Sequence, residues 1–108
     1  MLTASFWVRA YLKRLELNSI PAYVLRHGND ASGAVLVKCA RLDGTAEAFQ
    51  RSFDLMTGAR TWMSLVRGTE ADVDASIRKQ QSFDPDLWVI EIEDRAGRTL
   101  LDEDGLRD

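Results

Sequence analysis

The residues best suited to chemistry lie in the acid-rich stretch Asp84-Pro85-Asp86 followed by Glu91, Glu93 and Asp94. Glu91 and Glu93 share one side of a strand, so that together with Asp86 their carboxylates suit a hard divalent cation such as Mg²⁺. The corresponding activity is that of a metal-dependent phosphodiesterase or nuclease. The competing reading is structural: Asp84 and Asp86 flank a proline turn, and the two glutamates lie on a solvated or arginine-paired strand face. His27 and Cys39, the one histidine and the one cysteine, form the other pair to weigh, since a Cys/His arrangement is nucleophilic only at hydrogen-bond reach. A hairpin turning at Asn29-Asp30 sets His27 opposite Ala34 and Cys39 opposite Ala22, roughly 16 Å apart at strand spacing. Cys39 therefore reads as an inert core thiol beside Val35 and Val37, and His27 as an exposed imidazole flanking a turn.

The run Glu91-Ile92-Glu93 is similar to the end of the nuclease motif Glu-x-Lys, but Glu93 stands where that motif has its phosphate-steadying lysine. Gly28-Asn29-Asp30-Ala31-Ser32-Gly33 is too short for a phosphate cradle and lacks a following helix, and the other common nucleotide, zinc and nucleophile-elbow patterns are absent. No cofactor is expected. One Cys and one His also exclude a closed zinc site within one chain.

These residues need elements to hold them. From Ala4 to Leu17, Ala4, Trp7, Val8, Tyr11, Leu12 and Leu15 recur at helical spacing, with Thr3 as N-cap and Pro21 beyond the end. Strands follow over 22–27, 34–42, 45–53 and 60–67, separated by turn residues. A second helix begins at Thr69, with Glu70, Asp72 and Asp74 near its N-terminus and Val73 and Ile77 as its apolar stripe, and ends before Pro85. Leu87–Glu93 is a last strand, and Arg98–Leu101 a possible short edge strand. The class is α+β: an N-terminal helix, a mainly antiparallel meander of four strands, a second helix and a C-terminal strand. Residues 1–101 form one domain and 102–108 a short acidic tail.

Asp43-Gly44 predicts a two-residue hairpin turn with Leu42 opposite Thr45 and Ala34 opposite Phe53. That register gathers Val35, Val37 and Cys39 with Ala46, Ala48, Gln50 and Ser52 on one face. It gathers Leu36, Lys38 and Ala40 with Glu47, Phe49, Arg51 and Phe53 on the other, joined by Trp62 and Val66. Two helices in so short a chain leave part of these faces to be covered by something else. Arg26, Lys38, Phe49, Arg51, Phe53 and Trp62 are then the candidate partner surface. It reads as core with basic stems passing over it, as a self-association face, or as a stacking platform for nucleic acid.

The 108 residues carry a net charge of −3 and are 45 % apolar and 29 % charged, an ordinary globular balance. The charge divides unevenly. Residues 1–68 hold nine Lys/Arg against five Asp/Glu, and residues 69–108 hold five against twelve. Overall acidity disfavours nucleic acid, while opposite-sign halves favour contacts within the chain or between copies. The lone cysteine favours a reducing, cytoplasmic setting. The N-terminal charges interrupt any signal-peptide or membrane-spanning run.

Phe6-Trp7-Val8-Arg9-Ala10-Tyr11-Leu12-Lys13-Arg14, Arg26-His27-Gly28, Gly33 to Lys38, Arg41-Leu42-Asp43-Gly44 and Phe83 to Arg95 together resemble the domain of unknown function 1491 family. These are small alphaproteobacterial proteins of about this length. The resemblance spans nearly the whole chain, and Phe83-Asp84-Pro85-Asp86-Leu87-Trp88 is its most specific part. It implies a bacterial, cytoplasmic, single-domain protein with no assigned reaction and no catalytic residue to carry over. The leading expectation is a non-enzymatic interaction module that forms a homo-oligomer or binds another protein.

Overall fold

Two threonines start the two helices. Thr3 Oγ1 accepts from Phe6 N at 3.2 Å and opens α1 (Ala4–Leu17), and Thr69 Oγ1 accepts from Asp72 N at 3.2 Å and opens α2 (Glu70–Phe83). The structure is a computed structural model that describes residues 3–106, without the side chain of Phe53. Helix α1 stops at Leu17, four residues before Pro21. Ser19 takes a left-handed conformation (φ 57°), so that Ser19 N reaches Glu16 O and Ile20 N reaches Leu15 O, each at 3.0 Å. This pairing satisfies the last carbonyls and turns Ile20 into the core.

The strands are β1 (Ala22–Arg26), β2 (Val35–Ala40), β3 (Thr45–Phe53), β4 (Arg60–Thr69) and β5 (Trp88–Glu93). They form one sheet in the order β1-β5-β2-β3-β4, with β5 parallel to β2 and the other neighbours antiparallel. The α+β class and the element order agree with the sequence reading, and the sheet is mixed. Arg98–Leu101 is not a strand.

The β1–β2 hairpin does not form, because β5 lies between the two strands. Trp88, Val89, Ile90 and Ile92 are all buried, and a run apolar on both sides belongs at the centre of a sheet. The connection over 27–34 must therefore cross about two strand spacings, roughly 10 Å. It does so pressed against the start of β5: Asn29 N donates to Asp86 O (3.0 Å), Trp88 N to Ala34 O (2.8 Å) and Trp88 Nε1 to Asn29 O (2.8 Å). At Gly33 a Cβ would lie 2.5 Å from Asp86 O and 2.8 Å from Asn29 O. The glycine permits that close approach.

The β2–β3 register also departs from expectation, by one residue. Ala40 faces Ala46 and Val37 faces Phe49, because the loop has three residues, Leu42-Asp43-Gly44. Asp43 Oδ1 accepts from Thr45 N (2.9 Å) and Thr45 Oγ1 (2.6 Å), and the left-handed positions fall on Leu42 (φ 63°) and Gly44 (φ 91°). A one-residue slip moves every β3 side chain to the other face. Phe49 and Arg51 now accompany Val37 and Cys39, whereas Ala46 and Ala48 accompany Leu36 and Lys38.

Each face has its own core. Trp7, Val8, Tyr11 and Leu15 of α1 cover Val35, Val37, Cys39, Trp88, Ile90 and Ile92, with Leu101 and Leu106 completing that layer. On the other face Val73 and Ile77 of α2 cover Leu36, Ala46, Ala48, Leu87 and Val89. A bulge between Ala48 and Phe49 sends Leu65 and Val66 to the α2 side, while Trp62 stays on the α1 side with Phe49. Val66 thus keeps its expected place beside Leu36 but parts from Phe49 and Trp62, which were expected on the same face.

Gly33→Ala is expected to lower stability by about 1–3 kcal/mol through crowding. Gly68→Ala, in open space on β4, should change it by less than about 0.5 kcal/mol. Urea unfolding of the two variants checks the contrast.

Candidate functional site

Lys38 sits mid-strand on the α2 side of β2, one residue from Val37 and Cys39, and its side chain is only 3 % exposed. Buried ammonium groups need partners, and this one has three. Nζ lies 2.8 Å from Glu70 Oε1, 2.7 Å from Asp74 Oδ1 and 2.9 Å from Glu91 Oε1. All three of its protons are used. Glu70 and Asp74 are one helical turn apart on α2, and Glu91 lies directly opposite Lys38 on β5, so one charge ties helix to sheet. Burial by itself would lower the lysine pKa. The hydrogen bonds to Asp74, Glu70 and Glu91 outweigh it and hold the group above its ordinary value.

On the opposite face the Arg51 guanidinium lies 4.8 Å from the centre of the Trp7 ring and 5.2 Å from that of Trp62, a cation held by two indole faces. Trp7 also stacks on Tyr11 at 4.9 Å. Both indole N–H groups donate to one carbonyl, Leu106 O, at 3.0 Å from Trp7 and 3.2 Å from Trp62. Tyr11 Oη donates to Thr99 O at 2.9 Å, and burial drives its pKa far upward. Arg14 meets Glu103 at 2.9 Å. Asp94 anchors the start of this C-terminal stretch: it accepts from Arg98 N at 2.6 Å and from the Arg98 guanidinium at 2.8 Å. These bonds to the side chain and backbone of Arg98 hold its carboxyl below the usual range.

The six candidate surface residues therefore do not share a surface. Phe49, Arg51 and Trp62 come together on the α1 side. Lys38 lies beneath α2, and Arg26, at the end of β1, donates to Gln81 O (3.4 Å) and Pro85 O (3.0 Å). The side chain of Phe53 lies outside the described residues. Of the three metal candidates, Glu91 is bonded to Lys38 and Glu93 accepts from Tyr23 Oη at 2.9 Å. Asp86 sits in the exposed turn before β5, about 16 Å along the chain from Glu91. Among the described residues no group of three or more His, Cys, Asp or Glu suits a metal ion.

His27 packs on Trp88 with ring centres 4.0 Å apart and pairs with Asp30 at 2.8 Å. Cys39 lies four residues along β2 from Val35, the residue opposite Trp88, so about 13 Å separates them. Its thiol is buried and pushed up to about 11, mainly by burial. The sequence reading missed Glu70 and Asp74 as partners of Lys38. Their signal was present, as a lone lysine among apolar residues facing an i,i+4 acid pair. It also missed Tyr23, Val24 and Leu25, consecutive residues of β1 that are about half exposed.

These features define a small α+β protein with helices on both sides of a mixed five-stranded sheet, tied together by one buried lysine and one aromatic clasp. The chain belongs to the DUF1491 family: the family model described as "Protein of unknown function (DUF1491)" matches residues 2–102. The chain is 45 % identical to a DUF1491 family protein from Caulobacter crescentus CB15 solved by crystallography, with a TM-score of 0.86 over 95 % of this chain and 97 % of that one. An NMR structure of a DUF1491 family protein from the same organism matches at 45 % identity, TM-score 0.80 and 94 % of each chain. A solution structure of a protein from A. tumefaciens matches at 25 % identity and TM-score 0.72, over 85 % of each chain. No curated protein matches the chain.

Lys38→Met is expected to cost about 3 kcal/mol at neutral pH, since it leaves three carboxylates facing one another without their cation; chemical denaturation measures this. Asp94, with its lowered pKa, contributes stability that is present above the ordinary carboxylate value and lost as pH falls through the lowered one. The stability gap between the parent chain and Asp94→Asn should therefore be full at pH 7 and close progressively below about pH 4.

Proposed function

We propose that the protein is a non-enzymatic interaction module that self-associates by pairing β1 strands edge to edge. The observation that carries this reading is the character of β1. It is an edge strand whose outer side has no partner strand among the described residues, and Tyr23, Val24 and Leu25 on it are 50 %, 42 % and 55 % exposed. The bulge between Val24 and Arg26 breaks the alternation and supports this consecutive exposure. Edge strands are usually blunted by charge. The opposite edge, β4, has Arg60 and Arg67, whereas the only charge on β1, Arg26, bonds to carbonyls of its own chain.

The sheet faces fit a partner less well than this edge, because the helices and the C-terminal residues cover most of both. A second copy suits the edge by charge as well. In an antiparallel pair, the Arg26 end of one β1 lies beside the Ala22 end of the other, where Glu93 holds the Tyr23 hydroxyl. Opposite signs then meet at both ends of a two-fold contact. The lone buried thiol of Cys39 is consistent with a reducing, cytoplasmic setting. No helix among the described residues is long and apolar enough to cross a membrane.

Light scattering is expected to show a mass that rises toward the dimer at high micromolar concentration, and Val24→Lys should return the monomer without lowering Tm. A monomer at every concentration overturns self-association. A dimer that survives Val24→Lys moves the contact away from β1.

A further inference from the structure

We infer that the cavity between the end of α2 and β3, where β3 runs past the start of β2, binds a neutral polyol of monosaccharide size. The cavity holds about 320 Å³, at the lower end of the range for small-molecule sites. It lies across the sheet from the β1 edge, and the inference does not depend on pairing there.

Two facing lines of side chains change character at this level. On α2 the sheet-facing line runs Val73, Ile77, Gln80 and the capping Asp84, at helical spacing. On β3 the α2-facing line runs Ala46, Ala48, Gln50 and Ser52, at strand spacing. The first two members of each line belong to one buried cluster. The last two members of each line the cavity, over an apolar floor of Leu36 and Leu87.

All four of these polar side chains are partly buried. Among the described residues the side-chain ends of Gln50, Ser52 and Gln80 meet no hydrogen-bond partner, and the Asp84 carboxylate accepts only from Asp86 N, at 3.0 Å on Oδ1. Polar groups drawn away from water without partners cost stability, which a ligand that supplies the partners returns on binding. Arg51 and Arg60 also border the cavity, but both are engaged by other groups, so recognition falls to the two amides, the hydroxyl and the carboxylate.

That set mixes acceptors and donors: the Asp84 carboxylate and two amide carbonyls accept, the two amide NH₂ groups donate, and the Ser52 hydroxyl does both. A simple cation brings donors alone and leaves the amide N–H groups unmet. A simple anion brings acceptors alone and meets the Asp84 carboxylate. Adjacent hydroxyls donate and accept together, and the C–H side of a sugar ring suits the leucine floor. Among the described residues no aromatic side chain lines the cavity, which disfavours a nucleobase held by stacking.

A further wall is held in place before any ligand arrives. Asn29 Oδ1 accepts from Ala31 N and Ser32 N, each at 3.0 Å, and Gly33 N donates to Asn29 O at 3.1 Å. Backbone contacts to Asp86 and Trp88 then press this loop onto β5. A preformed wall lowers the ordering cost of binding.

The test is an NMR titration of the isotope-labelled full chain with glucose, galactose, mannose and ribose at up to about 20 mM, with acetate and methylammonium as acceptor-only and donor-only controls. At least one sugar should shift the amides of residues 32–36, 50–52 and 80–87 in a saturable way, and neither control should do so. Gln50→Leu and Gln80→Leu, each of similar size to the parent side chain, should weaken that binding by about tenfold while keeping the ligand-free Tm. Failure of every sugar, an equal response to acetate or methylammonium, or binding that survives either variant unchanged overturns the assignment. The oligomeric state is read separately and does not affect this outcome.

Discussion

The structure depends on one constraint: β5 is too apolar to stand at an edge. With Val89, Ile90 and Ile92 fully buried and Trp88 nearly so, the strand needs neighbours on both sides and cover on both faces. Its place between β1 and β2 meets the first need. The helices meet the second, α1 from one side and α2 from the other. Three consequences follow. The chain must step over β5 between β1 and β2, which demands glycine at the tightest approach. β1 becomes an outer strand. The end of the sheet is left with a gap bounded by that stepping loop.

A second constraint is electrostatic. The basic first part and the acidic second part of the chain meet inside the molecule. Lys38 takes up Glu70, Asp74 and Glu91, and Arg14 takes up Glu103. Replacing such a buried cluster by apolar residues is often neutral in stability, so its main effect here is positional. It holds α2 over β3 and β4 and keeps Glu91 directed at the lysine. The charge asymmetry that suggests a partner in the linear sequence is thus partly internal. The aromatic set reads similarly: Trp7, Trp62 and Arg51 have the ingredients of a stacking platform, but Leu106 O occupies both indole N–H groups.

Much of the architecture was legible in the residues. Thr3 and Thr69 cap the helices, the 3–4 spacing of Trp7, Val8, Tyr11 and Leu15 marks the buried side of α1, and Val73 and Ile77 mark that of α2. The strand ranges agree to within two residues. What was not legible was lateral: which strand lies beside which, and in what register. Asp43-Gly44 is a strong two-residue turn signal, yet the Asp43 carboxylate bonds forward to Thr45 and leaves a three-residue loop. That single residue moved Phe49 and Arg51 away from Lys38 and dissolved the composite surface inferred from the expected register.

The sequence by itself determined the elements, their order, the buried sides of both helices, the absence of a local nucleotide or zinc motif, and the kinship to the family. These follow from interactions within a few residues, such as caps, turns and periodicity. Only the tertiary structure decided that β5 enters between β1 and β2, that Lys38 is buried among three acids, and that Tyr23, Val24 and Leu25 form an open edge. Those outcomes depend on contacts between residues up to 70 positions apart, as between Ala22 and Ile92. Their free energy comes from burying whole faces at once, which no local pattern encodes.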